Sequence, residues 1–132
     1  MDVENYLSQG YFDENDQPRK ELYLDWPRSI AEILSRQGMT KGSLRRFYAQ
    51  VKGLHPLMEK DFEGNKYRLY AIVPLVNYGV NKEDSPLPKE FKSFIEQNVK
   101  QAEKDLRHYK FFVEHFQCVV AYFKESIRGN SR

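Results

Sequence analysis

The sequence is poor in the residues on which secreted, metal-binding and membrane proteins depend. Cys118 is its single cysteine, which excludes an internal disulfide framework and favours a reducing compartment. Its glycines are dispersed, so no glycine-rich phosphate loop is present. No apolar run approaches the roughly 20 residues of a membrane span, and the acidic N-terminal region lacks the pattern of a signal peptide. We therefore expect a cytoplasmic protein that does not enter a membrane.

What the sequence has in abundance is aromatic side chains, nine Phe and nine Tyr in 132 residues. Many of these rings must lie inside, because a short chain builds its core from large side chains. The net charge of +2 is unevenly spread, with −5 in residues 1–26 and +5 in residues 27–55. A polyanion would therefore meet a basic surface mainly in the second quarter of the chain.

Helical periodicity runs through most of the chain, and no segment is typical of a strand. Asp25 is expected to cap a first helix that Gly38 ends. Thr40 is expected to cap a second helix that Gly53 interrupts and Pro56 stops. A third helical segment should span residues 57–80, with Pro74 in its middle breaking or kinking it. After a loop at 81–88, residues 88–128 form one long helix or two helices with a break near residue 103.

The C-terminal region carries an apolar seam spaced at three and four residues, which helices can share within one chain or between two. The seam consists of Leu106, Tyr109, Val113, Phe116, Val120, Phe123 and Ile127. Residues 1–24 instead form an acidic, partly irregular arm whose aromatic side chains dock on their own domain or on a partner. The sequence thus predicts an arm, 1–24, and an all-α domain, 25–132, that is a compact bundle of about five helices with a long C-terminal helical region.

No group of residues has the composition of a catalytic or metal site. Asp105 and His108 have the spacing of half a di-metal carboxylate site, but the second half is missing. One cysteine and three scattered histidines do not supply the four ligands of a structural zinc. Cys118 lies in an apolar helical stretch, which should raise the pKa of the thiol and keep it unreactive. We expect no catalytic residue, no metal and no cofactor.

The second helix is the clearest candidate for a binding site. Its apolar face consists of Leu44, Phe47, Val51 and His55. Lys41, Arg45 and Lys52 lie within roughly 40° of one another on the adjacent face. Tyr48 stands at the border between the two faces, and Arg46 points further round into solvent. Cations beside an aromatic edge, on a helix that begins with free N–H groups, suit a phosphate backbone.

Two other interpretations of this helix remain open. Arg28 and Arg36, from the first helix, would extend a basic patch, but the cations of both helices are also what the solvated side of an amphipathic helix requires. A helix-turn-helix that binds DNA would place its turn at Gly38. That arrangement fits poorly, because the first helix has no small residue at a clear crossing point.

Three segments resemble one known family, the small subunit of type III-A CRISPR effector complexes, the Csm interference complexes. Residues 39–48, MTKGSLRRFY, resemble its signature of threonine followed by leucine, arginine, a basic residue, phenylalanine and tyrosine. Residues 73–78, VPLVNY, resemble a leucine-proline-leucine-alanine-tyrosine segment, and residues 112–124 resemble the closing helix. Two departures stand out: residues 78–81, YGVN, replace an alanine-rich stretch that ends in arginine, and the arm has no counterpart.

The resemblance implies a non-catalytic, RNA-binding helical subunit of an antiviral ribonucleoprotein complex. Its partners would be crRNA, target RNA, adjoining copies of itself and the other subunits, to which RNA cleavage belongs. The motif places RNA contact on Arg45 and Arg46, and the helical wheel adds Lys41 and Lys52. The alternative is a protein–protein scaffold without direct RNA binding, in which the apolar seam drives self-association and the basic helix meets an acidic partner.

Overall fold

The helical periodicity is realised in the computed structural model, which describes residues 1–126. Five helices of ten or more residues form the bundle: α1 Asp25–Arg36, α2 Lys41–Gly53, α6 Ile72–Asn81, α7 Lys89–Ala102 and α8 Leu106–Tyr122. Three short helices lie between α2 and α6: α3 His55–Lys60, α4 Phe62–Asn65 and α5 Tyr67–Tyr70. Within residues 1–126 the only extended pairing is an isolated bridge between Phe12 and Pro18. The predicted all-α bundle of about five helices is confirmed.

Helix α8 is the centre of the bundle and packs against α1, α2 and α7. Its buried side chains are Tyr109, Phe112, His115, Phe116 and Val119. The Tyr109 hydroxyl donates a 2.6 Å hydrogen bond to the Val51 carbonyl, which fixes α8 against α2. The apolar seam therefore closes within the chain at Tyr109 and Phe116, whereas Val113 and Val120 are only partly buried.

Local sequence sets the ends of α1 and α2. Thr40 caps α2 as predicted, because its side chain accepts a 3.1 Å hydrogen bond from the Ser43 amide. Gly38 adopts a φ of +92° in the turn between the two helices, a conformation that favours glycine. The prediction that Asp25 caps α1 is wrong, because Asp25 is the first residue of the helix and Leu24 is at the N-cap position. In the first turn its negative charge still complements the helix dipole.

The predicted segment over residues 57–80 is helical but is divided at more places than Pro74 alone. The chain forms α3 to α6 there, and its direction changes at Asp61, which ends α3 and caps α4 by accepting a 3.0 Å hydrogen bond from the Gly64 amide. Pro56 does not stop α2, which ends at Gly53, but lies in the first turn of α3. The predicted break lies just before Pro74, at Ala71, so that Pro74 stands in the first turn of α6, where a missing N–H costs little, and kinks no helix.

The break predicted near residue 103 separates α7 from α8. Asp105 caps α8, because its carboxylate accepts a 2.8 Å hydrogen bond from the His108 amide. Helix α8 ends at Tyr122, short of the predicted end at residue 128. Phe123 is buried beyond this end, and Ile127, the last predicted member of the seam, lies outside the described residues.

The arm, residues 1–24, lies on the bundle and contains one 3-10 turn, Lys20–Leu22. Its side chains Val3, Leu7, Tyr11 and Leu22 belong to the same hydrophobic core as those of the long helices. A turn at Asp16, with a φ of +61°, returns the chain toward α1. Of the two docking surfaces considered from the sequence, the structure has the arm on its own chain.

Candidate nucleic-acid interface

Helix α2 turns one face to the core and the rest of its surface outward. Leu44, Phe47 and Val51 are buried, as the periodicity predicts. His55 does not share their burial, because it follows the end of α2 and is exposed, with its Nε2 3.2 Å from the Glu59 carboxylate. The cations of α2 consequently lie on the outer side of the bundle.

Three of these cations form a strip along α2, which we call the basic row: Lys41, Arg45 and Lys52. All three side chains are exposed, and within residues 1–126 none of them forms an ion pair. The Lys52 ammonium lies 5.9 Å from the centroid of the Tyr48 ring, a cation–π contact. The structure thus brings the predicted cations and the border tyrosine together.

Tyr48 anchors the basic row to the bundle. Its half-buried ring packs edge-on against Phe116 of α8, with the centroids 5.4 Å apart. Burial, and then the neighbouring Cys118, raises the pKa of the Tyr48 hydroxyl above its ordinary value, so the side chain is neutral. The ring is therefore a fixed apolar edge beside Lys52 and adds no negative charge to the row.

Arg46 lies on a different side of α2 from the basic row. Its Nη2 donates a 3.3 Å hydrogen bond to the Ser43 hydroxyl, and its side chain lines a groove toward Tyr78 of α6. The helix period places it about 100° from Arg45. The four predicted RNA contacts are therefore three on one face and one on the next.

The backbone N–H groups in the first turn of α2 are not all free, as the sequence suggests they would be. The Glu125 carboxylate, from the segment after α8, accepts a 2.9 Å hydrogen bond from the Lys41 amide. The Thr40 hydroxyl accepts a hydrogen bond from the Ser43 amide. A phosphate would have to compete with both, so this helix terminus is less available to an anion than the sequence predicts.

Arg28 and Arg36 line a groove of their own beside Tyr122. The Arg28 guanidinium lies 5.2 Å from the centroid of the Tyr122 ring and 3.8 Å from the Asp25 carboxylate. Lys124 lines the same groove, next to the Glu125 that contacts α2. The predicted extension of the patch therefore lies beside the start of the basic row, with carboxylates interspersed.

Two basic residues near these surfaces escaped the sequence analysis. Lys124 joins Arg28 and Arg36, and Lys82 joins Arg46 at the groove beside α6. Lys82 follows the end of α6 and lies outside the helix predicted from the sequence, whereas Lys124 lies in the stretch predicted as helix up to residue 128 but beyond the observed end of α8 at Tyr122. The only feature of the sequence that could have indicated these two residues is their positive charge.

Comparison with known families shows which family the chain belongs to. The family model described as Csm2 Type III-A matches residues 18–127. The chain belongs to this family. It is accordingly a small subunit of the multi-subunit type III-A CRISPR complex. No curated protein and no solved structure matches the chain.

The family match begins at residue 18 and so leaves out most of the arm. Within the matched region, the first of the three motifs forms the turn before α2 and its first two turns. The second forms the first half of α6, and the third the end of α8. The Csm2 match thus extends over every α-helix, while Val3, Leu7 and Tyr11 are core residues from outside it.

Of the titratable residues considered for chemistry, His108 and His115 have hydrogen-bond partners within this Csm2 chain. The His108 Nδ1 lies 2.7 Å from Asp105, which caps α8, so the Asp-x-x-His spacing is a helix start. His115 is buried, and burial raises the pKa of the Cys118 thiol, as predicted. Among residues 1–126 no three His, Cys, Asp or Glu side chains could hold a metal together, and no helix there is long and apolar enough to cross a membrane.

Proposed function

We propose that this Csm2 family member is a non-catalytic RNA-binding subunit that holds the backbone of guide and target RNA in the cytoplasm. Lys41, Arg45 and Lys52 would neutralise phosphates along one face of α2, and Arg46 would contribute from the next face. The basic row is the observation that carries this proposal, because its cations are exposed and unpaired within residues 1–126. Arg28, Arg36 and Tyr48 would extend the contact.

The geometry of the row suits an extended polyanion. From Lys41 to Lys52 the helix rises about 16 Å, so the cations reach successive phosphates rather than a single one. Exposed cations without an internal partner exchange only their counterions for phosphate, and the released counterions favour binding. Phosphate contacts of this kind position RNA without reading its bases, as a subunit that accepts any guide sequence requires.

The scaffold alternative depends on a free apolar seam. Tyr109 and Phe116 of that seam are fully buried within the chain, which removes much of its apolar area from any contact with a second copy. Self-association through other surfaces stays a prediction of the family resemblance. Sedimentation with and without RNA separates the two functions, because a pure scaffold would associate identically in both.

The proposal is tested with two double variants. One removes two positive charges from the basic row, and the other removes two from other helices. The variant Arg45→Ala/Lys52→Ala should weaken binding of a short duplex RNA. It should also lower the slope of log K against log salt by nearly two, because each lost phosphate contact removes about 0.9 from it. The matched control, Lys60→Ala/Lys100→Ala, has the same net charge but changes exposed lysines of α3 and α7. Fluorescence anisotropy at several salt concentrations measures both quantities.

Equal losses in the two double variants would mean that net charge rather than the row binds RNA. Binding that survives both Arg45→Ala/Lys52→Ala and Arg45→Ala/Arg46→Ala at low salt would overturn the assignment of α2. The stability of each variant, measured by urea unfolding, should match that of the wild-type protein, since all the substituted side chains are exposed.

A further inference from the structure

A second surface lies where α2 faces α6, about a quarter turn from the basic row. It is a groove of about 210 Å³ that opens to solvent. Its principal lining residues are Arg46, Gln50, Leu75, Tyr78, Lys82 and Leu87. The groove is small for a drug-sized ligand, whose pockets start at about 300 Å³. Its size suits a single planar ring with one polar edge.

The side chain of Tyr78 sets this groove apart from the rest of the surface. At 73% exposure, Tyr78 is the most exposed large hydrophobic side chain of the described chain, and Leu75, three residues earlier on the same helix face, is 53% exposed. Other exposed tyrosines have partners. The Tyr70 hydroxyl donates a 2.6 Å hydrogen bond to Glu103, and the Tyr67 ring is covered by Arg68 at 5.1 Å. Within residues 1–126 neither the ring nor the hydroxyl of Tyr78 has such a contact.

The wall of the groove is fixed by a close approach of backbone. The Leu87 amide donates a 2.9 Å hydrogen bond to the Gly79 carbonyl, which closes the loop of residues 82–88 onto α6. A Cβ at Gly79 would collide with the Leu87 side chain, so only glycine lets the loop come this close. The groove is therefore a preformed feature of the fold.

The charge of the groove indicates which ligand it fits. Arg46 of α2 and Lys82, which follows α6, both line the groove. None of its lining residues is acidic. The Ser43 hydroxyl holds the Arg46 guanidinium at 3.3 Å on the groove wall. Two cations that flank an unpartnered aromatic ring are complementary to a nucleotide, which carries a phosphate next to a planar base.

We propose that this groove binds one unpaired nucleotide of single-stranded RNA, with its base stacked on Tyr78 beside Leu75 and its phosphate on Arg46 and Lys82. The inference rests on the RNA-binding function proposed above and adds a preference for unpaired RNA. Bases within an A-form duplex are already stacked on their neighbours, so only a single strand, a bulge or an end presents a base to Tyr78.

The test compares Tyr78→Ala with Tyr78→Phe, which keeps the ring, and with Tyr67→Ala, which removes an exposed tyrosine outside the groove. The probes are a short fluorescein-labelled RNA strand and the same strand annealed to its complement. Tyr78→Ala should weaken binding of the single strand by about 5- to 150-fold, as expected for the loss of one stacked base, and leave the duplex within about twofold. Tyr78→Phe and Tyr67→Ala should bind both probes like the wild-type chain.

A second measurement identifies the contact directly. A single strand that contains 4-thiouridine should crosslink under ultraviolet light to the peptide of residues 75–82, and this crosslink should disappear in Tyr78→Ala. Unchanged single-strand affinity in Tyr78→Ala, while Arg45→Ala/Lys52→Ala loses duplex RNA, would refute the nucleotide site and leave the backbone function intact. If Tyr78→Ala binds RNA normally but fails to enter the reconstituted effector complex, the groove binds a protein subunit and the inference is wrong.

Discussion

The arm and helix α2 use their polar side chains in opposite ways. In the arm, the Tyr6, Tyr11 and Asp16 side chains all have partners on the helices of their own chain. In α2, the cations of the basic row have no ion-pair partner within residues 1–126. The acidic end of the chain therefore packs on the fold, while the basic helix leaves its charge exposed to solvent.

The arm is held by a buried hydrogen-bond network with one consistent set of donors. The His115 Nδ1–H donates to the Leu22 carbonyl at 2.7 Å, so its Nε2 accepts from the Tyr6 hydroxyl at 2.8 Å. The Tyr6 oxygen in turn accepts from Asn98 at 2.8 Å, and the Tyr11 hydroxyl donates to the Asn98 carbonyl oxygen at 2.6 Å. Each of these buried groups has a partner, which is what makes such a network stabilising rather than costly.

Helix α8 keeps the two regions apart. His108 and His115 face the arm, where they contact Phe12 and Tyr6. Phe116 faces α2 and packs on Tyr48. The acids of the arm are thus held on one side of the central helix and the basic row on another, so that the +2 net charge of the chain conceals two surfaces of opposite sign.

The largest effect that this comparison predicts is the loss of the arm's anchor. Tyr11 is fully buried, and Tyr11→Ala should lower the free energy of unfolding by about 3 to 5 kcal/mol, since it leaves a large cavity and an unsatisfied Asn98. Arg45→Ala in α2 should change it by less than about 0.5 kcal/mol. Urea unfolding followed by far-ultraviolet circular dichroism measures both.

Tyr11→Phe separates packing from hydrogen bonding in this experiment. It keeps the ring but removes the hydroxyl, and we expect a loss of about 1 to 3 kcal/mol. If Tyr11→Ala were no more destabilising than Arg45→Ala, the arm would not be an integral part of the core, and the contrast between the two regions would fail.

The second prediction concerns pH. Burial lowers the pKa of His115 from 6.5 to about 4, although its bond to Leu22 opposes the shift. The unfolded chain therefore binds a proton between these values that the folded chain does not. The contribution of neutral His115 to the free energy of unfolding is therefore present above pH 6.5. It is lost as the pH drops toward 4, by on the order of 3 kcal/mol. The single tryptophan, Trp26, packs edge-on against Tyr6 at 5.3 Å, so its fluorescence reports whether the arm is docked.

His115→Gln should flatten this part of the pH profile, because it removes the titrating group and keeps a side chain able to hydrogen bond. His55→Gln serves as the control at an exposed histidine and should retain the wild-type slope. An undiminished slope in His115→Gln would assign the acid sensitivity to carboxylates elsewhere, and the arm network would have no special role in it.

The sequence predicts α2 well because the relevant signals are local. The Thr40 cap, the buried positions of Leu44, Phe47 and Val51, and the strip of cations all follow from spacing within one helix. The break before α8 is local in the same way, since Asp105 caps the helix that it precedes. Predictions of this kind need no knowledge of the partners that each face meets.

The failures concern contacts between distant residues. Tyr6 and His115 are 109 positions apart, and Lys41 and Glu125 are 84 apart, so no periodicity could decide which surface the arm docks on or reveal the occupied start of α2. The groove between α2 and α6 was missed for the same reason, because its cations Arg46 and Lys82 come from different elements. The boundary between α3 and α4 depends on the side-chain cap at Asp61, which the helical periodicity of the segment masks.

The smallest predicted effect lies where a carboxylate does reach α2. Glu125 bonds the Lys41 amide at 2.9 Å, at the end of the basic row where a phosphate would approach. Glu125→Gln should raise the affinity for duplex RNA by about two- to five-fold and cost less than about 1 kcal/mol of stability, because a charge at an exposed helix terminus contributes 0.3 to 1 kcal/mol. Anisotropy titration at low salt, where the effect is least screened, measures it.

Glu14→Gln makes the same change of charge on the arm and should leave RNA affinity unaltered, since the arm contacts α8 from a different side than α2. A difference between the two variants places the repulsion at the start of α2 rather than in the net charge of the protein. If both variants bind RNA equally more tightly, only the total charge matters. The separation of acidic arm and basic helix would then stabilise the fold without directing RNA to one surface.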